Sequence, residues 1–339
     1  MSDVLIVSLG STSGLRAVDE ELRGSLERAG ASVELACAKA PAEVRTLMLT
    51  DLRWALAARR AASAALRESP ARAVIYSTTT AALLWPRPGT IRFDAPAAGN
   101  RPGRHGLWQR PLERRRLAQA PLLLPQGEGA LAELPEALRA QIQSAGRSLV
   151  LPVPVEPSGP PADERDIAAI TYAANPDKKG LDRVLDAWRR VRRPAEELVV
   201  AGVDPGDIQR AGIALPGEGV RIVGALAPTE YRALLRRARV FVIAPRREDY
   251  GIAQLEALAD GCMLVTSPAP GPYAALPIAR QLDARLVSED LGAAMRAALD
   301  EPAPDYSACA RQALEPFRRA VVDRVVAEEL LPRLSADGR

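Results

Sequence analysis

Val240-Phe-Val-Ile-Ala-Pro-Arg-Arg-Glu-Asp-Tyr-Gly-Ile-Ala-Gln-Leu-Glu-Ala-Leu-Ala-Asp-Gly261 holds the pattern of a parallel α/β protein. Residues 240–244 are an apolar run of strand length, and Pro245 stops it. A charged loop, Arg246 to Tyr250, leads to Gly251, after which Ile252, Leu255 and Leu258 recur at helical spacing until Gly261. Strand, loop and helix in this order are one step of a parallel α/β sheet. Gly251 lets a ligand approach the backbone, and the N–H groups of Gly251, Ile252 and Ala253 offer a ready anion site at the head of the helix. Glu248 before that helix and Glu256 on it flank the same place with carboxylates. They suit the hydroxyls on either side of a bound diphosphate.

Outward from this stretch the same alternation continues. Before it come an apolar run at 167–173, a helix with Leu181, Val184, Leu185, Trp188 and Val191 on one face, runs at 198–201 and 220–223, and a helix over 229–237. A further run follows at 263–266. The first half repeats the pattern: a strand at 4–8, the small-residue loop Gly10-Ser-Thr-Ser-Gly14, a helix ending at Gly30, then runs at 33–36, 73–76, 121–124 and 149–151 with helices over 46–67 and 129–143. Five prolines between 151 and 161 divide the halves. The expected organisation is two doubly wound, Rossmann-like α/β domains, 1–155 and 156–305, followed by a segment, 306–339, that packs back over the junction and whose helical stretch over 308–331 is stopped by Pro332. In such folds ligands sit beyond the carboxyl ends of the strands, so two facing sheets would share a cleft.

Spacing alone does not mark the two glutamates, since Glu128/Glu136 and Glu156/Glu164 are also eight apart. Context separates them: only Glu248/Glu256 straddles a strand-end loop and a glycine-opened apolar helix. Glu248-x7-Glu256, preceded by Asn175-Pro-Asp-Lys-Lys-Gly-Leu181 and Leu198-Val-Val-Ala-Gly202, resembles the retaining glycosyltransferases of the GT-B fold, family 4. The resemblance covers residues 166–268 well and the strand-loop-helix start at 4–30 loosely. It implies a hexosyltransferase using a UDP- or GDP-sugar, with retention and with neither cofactor nor metal. It further implies that Glu256 binds the donor ribose, Glu248 the hydroxyls of the transferred sugar, and Lys179 the leaving diphosphate. The base would lie near Gly224 to Leu226, largely on backbone. One departure stands out: where the family usually has an arginine five residues before the phosphate lysine, this chain has Ala174. Arg246, Arg247 or Lys178 could supply the missing charge, or activity is weakened.

In the first half, where the family holds its acceptor, Gly10 to Gly14 would face the diphosphate through backbone N–H groups. The only histidine, His105, and Asp94 are candidates for acceptor contact or proton handling. The net charge of +3 hides an asymmetry, because residues 1–155 hold 20 Arg and Lys against 14 Asp and Glu. Eight arginines between Arg87 and Arg116 account for it. They read either as a solvated surface or as a patch for a phosphorylated acceptor or an anionic membrane. Nucleic acid fits less well, since few aromatics accompany the charge.

A 47% hydrophobic and 26% charged composition excludes disorder, and three scattered cysteines offer neither a disulfide framework nor a zinc knuckle. With no apolar stretch of membrane-spanning length and no leader before residue 4, the chain reads as cytoplasmic, with peripheral contact at the inner membrane as the arginine patch's variant. A hydride-transferring enzyme is disfavoured because the first loop is Gly10-x3-Gly14 and not G-x-G-x-x-G. The rival functions are a nucleotide-sugar epimerase or hydrolase, and a non-catalytic scaffold of the same fold.

Overall fold

The computed structural model describes residues 2–336 except 43, 45, 102, 161 and 163. The chain forms two compact units, Met1–Pro154 with Arg319–Arg339, and Val155–Arg318.

The first unit is built on a parallel sheet in the order β2-β1-β3-β4-β5, with β1 Ser2–Ser8, β2 Val33–Cys37, β3 Ala71–Tyr76, β4 Thr90–Phe93 and β5 Leu123–Pro125. Leu5, Ile6 and Val7 have no exposed surface, as a strand covered on both faces requires. The second unit repeats the plan in the order β10-β9-β6-β7-β8, with β6 Ile167–Tyr172, β7 Leu198–Ala201, β8 Val220–Gly224, β9 Ala238–Ile243 and β10 Met263–Thr266. In each sheet the first strand of the unit is interior, with later strands added on both sides, so the winding reverses beside it. In the second unit that switch point lies between β6 and β9, where ligands bind in sheets of this kind.

Four local expectations are corrected. β4 was not anticipated, because Arg92 interrupts its apolar pattern; the structure buries that arginine, with its Nη1 donating to the Val18 carbonyl and facing Asp19 at 3.7 Å. The helix expected over 129–143 is two helices, Glu128–Ala132 and Glu136–Ser144, parted at Pro135. The run at 149–151 is no strand: it follows β5 through two backbone hydrogen bonds, Leu149 to Leu123 and Leu151 to Pro125. The helical stretch expected over 308–331 is not continuous. It breaks around Pro316, and Tyr306–Ala313 stays with the second unit. Beyond Arg318 it joins the first unit, where Val322, Val326, Leu330 and Leu334 pack on Val4, Ile6, Leu22 and Leu26. Pro332 does not stop it, since a π-helical turn, Val326–Leu330, precedes the final helix Leu331–Ala336 and places the proline in its first turn.

Candidate functional site

The loops leaving β6 and β9 meet at the switch point of the second unit. Gly180 makes this possible: it has φ of 66°, and a Cβ there would lie 1.8 Å from the carbonyl oxygen of Ala244. The β6 loop is thereby pressed against the end of β9, and the Arg246 N–H donates to the Lys178 carbonyl at 3.0 Å. Lys179 Nζ then reaches Glu248 Oε2 at 2.6 Å, across 69 residues of sequence. Both are largely enclosed, with side chains 19% and 6% exposed, so the pair is held in a medium where charge interactions are strong.

Glu248 is fixed from three sides. Its N–H donates to the Pro270 carbonyl, and its own carbonyl accepts the Tyr273 N–H. Gly271, with φ of 115°, admits this close approach: a Cβ there would stand 2.2 Å from the Glu248 carbonyl oxygen. From the helix Ile252–Ala259, Gln254 Nε2 donates to Glu248 Oε2 at 3.0 Å. Pro270, Gly271, Tyr273 and Gln254 were all missed in the sequence, and the sharp turn at Gly271 was the one signal available there.

The other charges are arranged around this pair. Arg246 bonds Asp177 and Asp182 at 3.0 and 2.9 Å on the outer side of the loop, so it is already committed. Lys178 and Arg247 both reach Asp249, at 3.3 and 2.8 Å. Ala174 is exposed and leaves its place in the β6 loop without charge. At the head of the helix, Gly251 adopts φ of 87° with the Tyr273 ring 2.9 Å from where a Cβ would be. The first-turn N–H groups of Ile252 and Ala253 follow directly.

Glu256 lies on the same helix, within 3.5 Å of Arg232, whose guanidinium bonds Asp260 more closely at 2.6 Å. Burial raises the Glu256 carboxyl above its usual range, Arg232 opposes this, and Asp260 adds to it. Tyr172, the last residue of β6, stands with its ring 5.2 Å from that of Tyr231. Leu226 is half-buried in the turn after β8, ahead of the helix Pro228–Arg237.

Two candidates belong to the first unit. Gly14 lies in the opening turn of the helix Ser13–Arg28, where Thr12 Oγ1 caps the Leu15 N–H at 3.1 Å. Below it a buried chain runs from the Gly10 N–H to Ser8 Oγ at 3.0 Å and on to Asp19. His105 is exposed in the short turn Gly103–Gly106. A groove of about 700 Å³ opens beyond the carboxyl end of β2, lined by Lys39, Arg53, Leu56 and Arg60 among others.

Most of the arginine cluster serves the fold. Arg87 donates to the Ala71 and Arg72 carbonyls, Arg101 grips Asp51 at 2.7 and 2.9 Å, and Arg110 donates to the carbonyls of Gly103 and Gly106. Arg116 lies 4.9 Å over the Trp85 ring. Among the described residues, no helix is long and apolar enough to cross a membrane.

Comparison with known proteins matches residues 165–301 to the family described as glycosyl transferases group 1. The solved sucrose-phosphate synthase of Thermosynechococcus elongatus superposes with a TM-score of 0.72 at 15% identity, covering 98% of each chain. HepE of Anabaena, solved in complex with UDP and glucose, gives 0.60 at 14% identity over 97% of this chain and 99% of that one. The fold is therefore GT-B, and the match to glycosyl transferases group 1 falls within the second unit. Among curated relatives, glycogen synthase of Mycobacterium tuberculosis is 36% identical over 134 residues, which are 37% of this chain and 32% of the relative, so the match spans about a third of that protein.

Proposed function

We propose that this protein transfers a hexose, with retention, from a nucleoside diphosphate sugar held by the second unit to an acceptor held by the first. The observation that carries the reading is the Lys179–Glu248 pair, set at the switch point of the second sheet inside the matched region. Lys179 and the N–H groups of Ile252 and Ala253 would take the diphosphate, Glu248 the sugar hydroxyls and Glu256 the ribose. As the glycosidic bond breaks, negative charge grows on the leaving phosphate. A fixed ammonium and helix N–H groups then bind the transition state more strongly than the ground state.

Lys178 and Arg247, both drawn to Asp249, are our candidates for the charge that Ala174 does not supply. Leu226 would border the base. Gly14 would add backbone N–H groups, and His105 and the groove beyond β2 would serve the acceptor. A contact with anionic membrane would rest on Arg104, Arg114 and Arg115, which are exposed.

UDP-glucose is the first donor to try, since HepE was solved with UDP and glucose. The test is thermal stability against UDP, GDP, ADP and their sugar conjugates, each with and without divalent metal. A ligand at about 100 times its Kd adds ~2.7 kcal/mol, an easily measured rise. A selective rise with one base supports the donor site; no rise with any overturns it. Ala174 and the commitment of Arg246 favour a second reading, a binding partner without turnover. That reading predicts the same rise with no release of nucleoside diphosphate.

A further inference from the structure

We infer that Gln254 is a positioning residue that holds the Glu248 carboxylate in register for the sugar; this rests on the donor-site reading of Lys179 and Glu248. Gln254 has no exposed surface and sits between Ala253 and Leu255, themselves buried, in a helix whose inner face is otherwise apolar. Burying a carboxamide is unfavourable unless its polar atoms are used. Here the side chain reaches back across the left-handed turn at Gly251 to donate from Nε2 to Glu248 Oε2 at 3.0 Å, and this bond is the use made of the group, since its own Oε1 is buried without a hydrogen-bond partner among the described residues. The same oxygen receives Lys179 at 2.6 Å, whereas Glu248 Oε1 carries no hydrogen bond among the described residues.

This asymmetry gives the two donors different roles. Lys179 is the cation a diphosphate would attract, so donor binding competes with its bond to Glu248. Gln254 is neutral, enclosed and unable to follow the phosphate. It keeps Oε2 tethered when the lysine turns away, and leaves Oε1, which has no partner among the described residues, to meet the sugar. A hydrogen bond to a charged group in such a setting is among the stronger ones.

The role predicts a split that a packing role does not. Full-length protein is titrated calorimetrically with UDP and UDP-glucose, and with GDP and GDP-mannose. The near-isosteric Gln254→Leu should bind the plain nucleotide within about twofold of wild type and lose about tenfold for the sugar conjugate. Glu248→Ala should show the same split, and the double variant no further loss, since both act through one contact. An equal loss for nucleotide and conjugate, or no loss for the conjugate, overturns the assignment. Gln254→Met is a second variant of matched volume; failure of both to fold makes Gln254 a packing residue and also overturns it. If the wild type binds neither nucleotide nor conjugate, the donor-site reading itself has failed, which is a different result from a wild type that binds and a variant that does not discriminate.

Discussion

Lys179 shows how much a single side chain depends on its neighbour. In the sequence it is an unremarkable lysine at a helix start, where the macrodipole disfavours a cation. In the fold it faces Glu248 at 2.6 Å and is held where a phosphate would compete for it. Lys179→Ala should lower the rate of nucleoside diphosphate release about 10²–10³-fold while changing donor affinity less, measured by steady-state kinetics. Glu256 makes a pH prediction. Its carboxyl is raised by burial, and an ionised carboxylate accepts ribose hydroxyls more strongly than a neutral one. Donor affinity should therefore fall on acidification from a higher pH than for an ordinary glutamate, and Glu256→Gln should flatten the profile. Folding responds with the opposite sign. Between the ordinary value of 4.5 and the raised one, the folded chain holds a proton that the unfolded chain does not, so acidification through that window favours folding.

At the scale of elements, the site is an agreement between two loops, and Gly180 enforces it. Gly180→Ala would push a methyl group into the Ala244 carbonyl at a left-handed backbone position, so the β6 loop must move. The expected result is a loss of about 2 kcal/mol or more in urea unfolding, together with a loss of donor affinity as Lys179 leaves Glu248. A second element-level test lies in the first unit. Glu113, buried in the helix Gln109–Gln119, accepts the Ala97 N–H with both oxygens at 2.9 and 3.0 Å. Burial raises its carboxyl to about 7 from 4.5, with those hydrogen bonds and Arg101 opposing. Stability should thus decline as pH rises from about 4.5 to about 7, by at most ~3 kcal/mol, and Glu113→Gln should remove that slope in urea unfolding at pH 5 and 8.

For the whole molecule, the terminal helix is a structural part of the first unit and not an appendage. Leu330 has no exposed surface and packs among Val4, Ile6, Leu22 and Leu26. Leu330→Ala should cost about 2–5 kcal/mol, read as a lower unfolding midpoint. A chain ending at Arg318 should lose the cooperative transition of the first unit while keeping that of the second, seen by calorimetry as one transition fewer.

The features legible along the chain are local and periodic. The apolar runs of β1, β6, β7 and β9, the helix with Trp188 on its inner face, and the strand-loop-helix around Gly251 are all set by hydrophobic spacing and by glycine and proline, which act over a few residues. Glu248, Glu256 and Lys179 could be singled out there because Glu248-x7-Glu256 straddles a strand-end loop and the helix after it, and because this motif and Asn175-Pro-Asp-Lys-Lys-Gly-Leu181 resemble a known family. Only the tertiary structure decided that Lys179 and Glu248 share a salt bridge, that Arg246 is spent on Asp177 and Asp182, and that Gln254 is anchored on Glu248. It also decided that Arg92 belongs in a strand, since a buried Asp19 faces it. Likewise the last helices were assigned to the first sheet by the apolar face of β1. The reason is common to all of these: hydrophobic spacing is written along the chain, whereas the partner of a charge or an apolar face is chosen by whatever folding brings beside it, here from as far as 298 residues away where Arg319 meets Glu21.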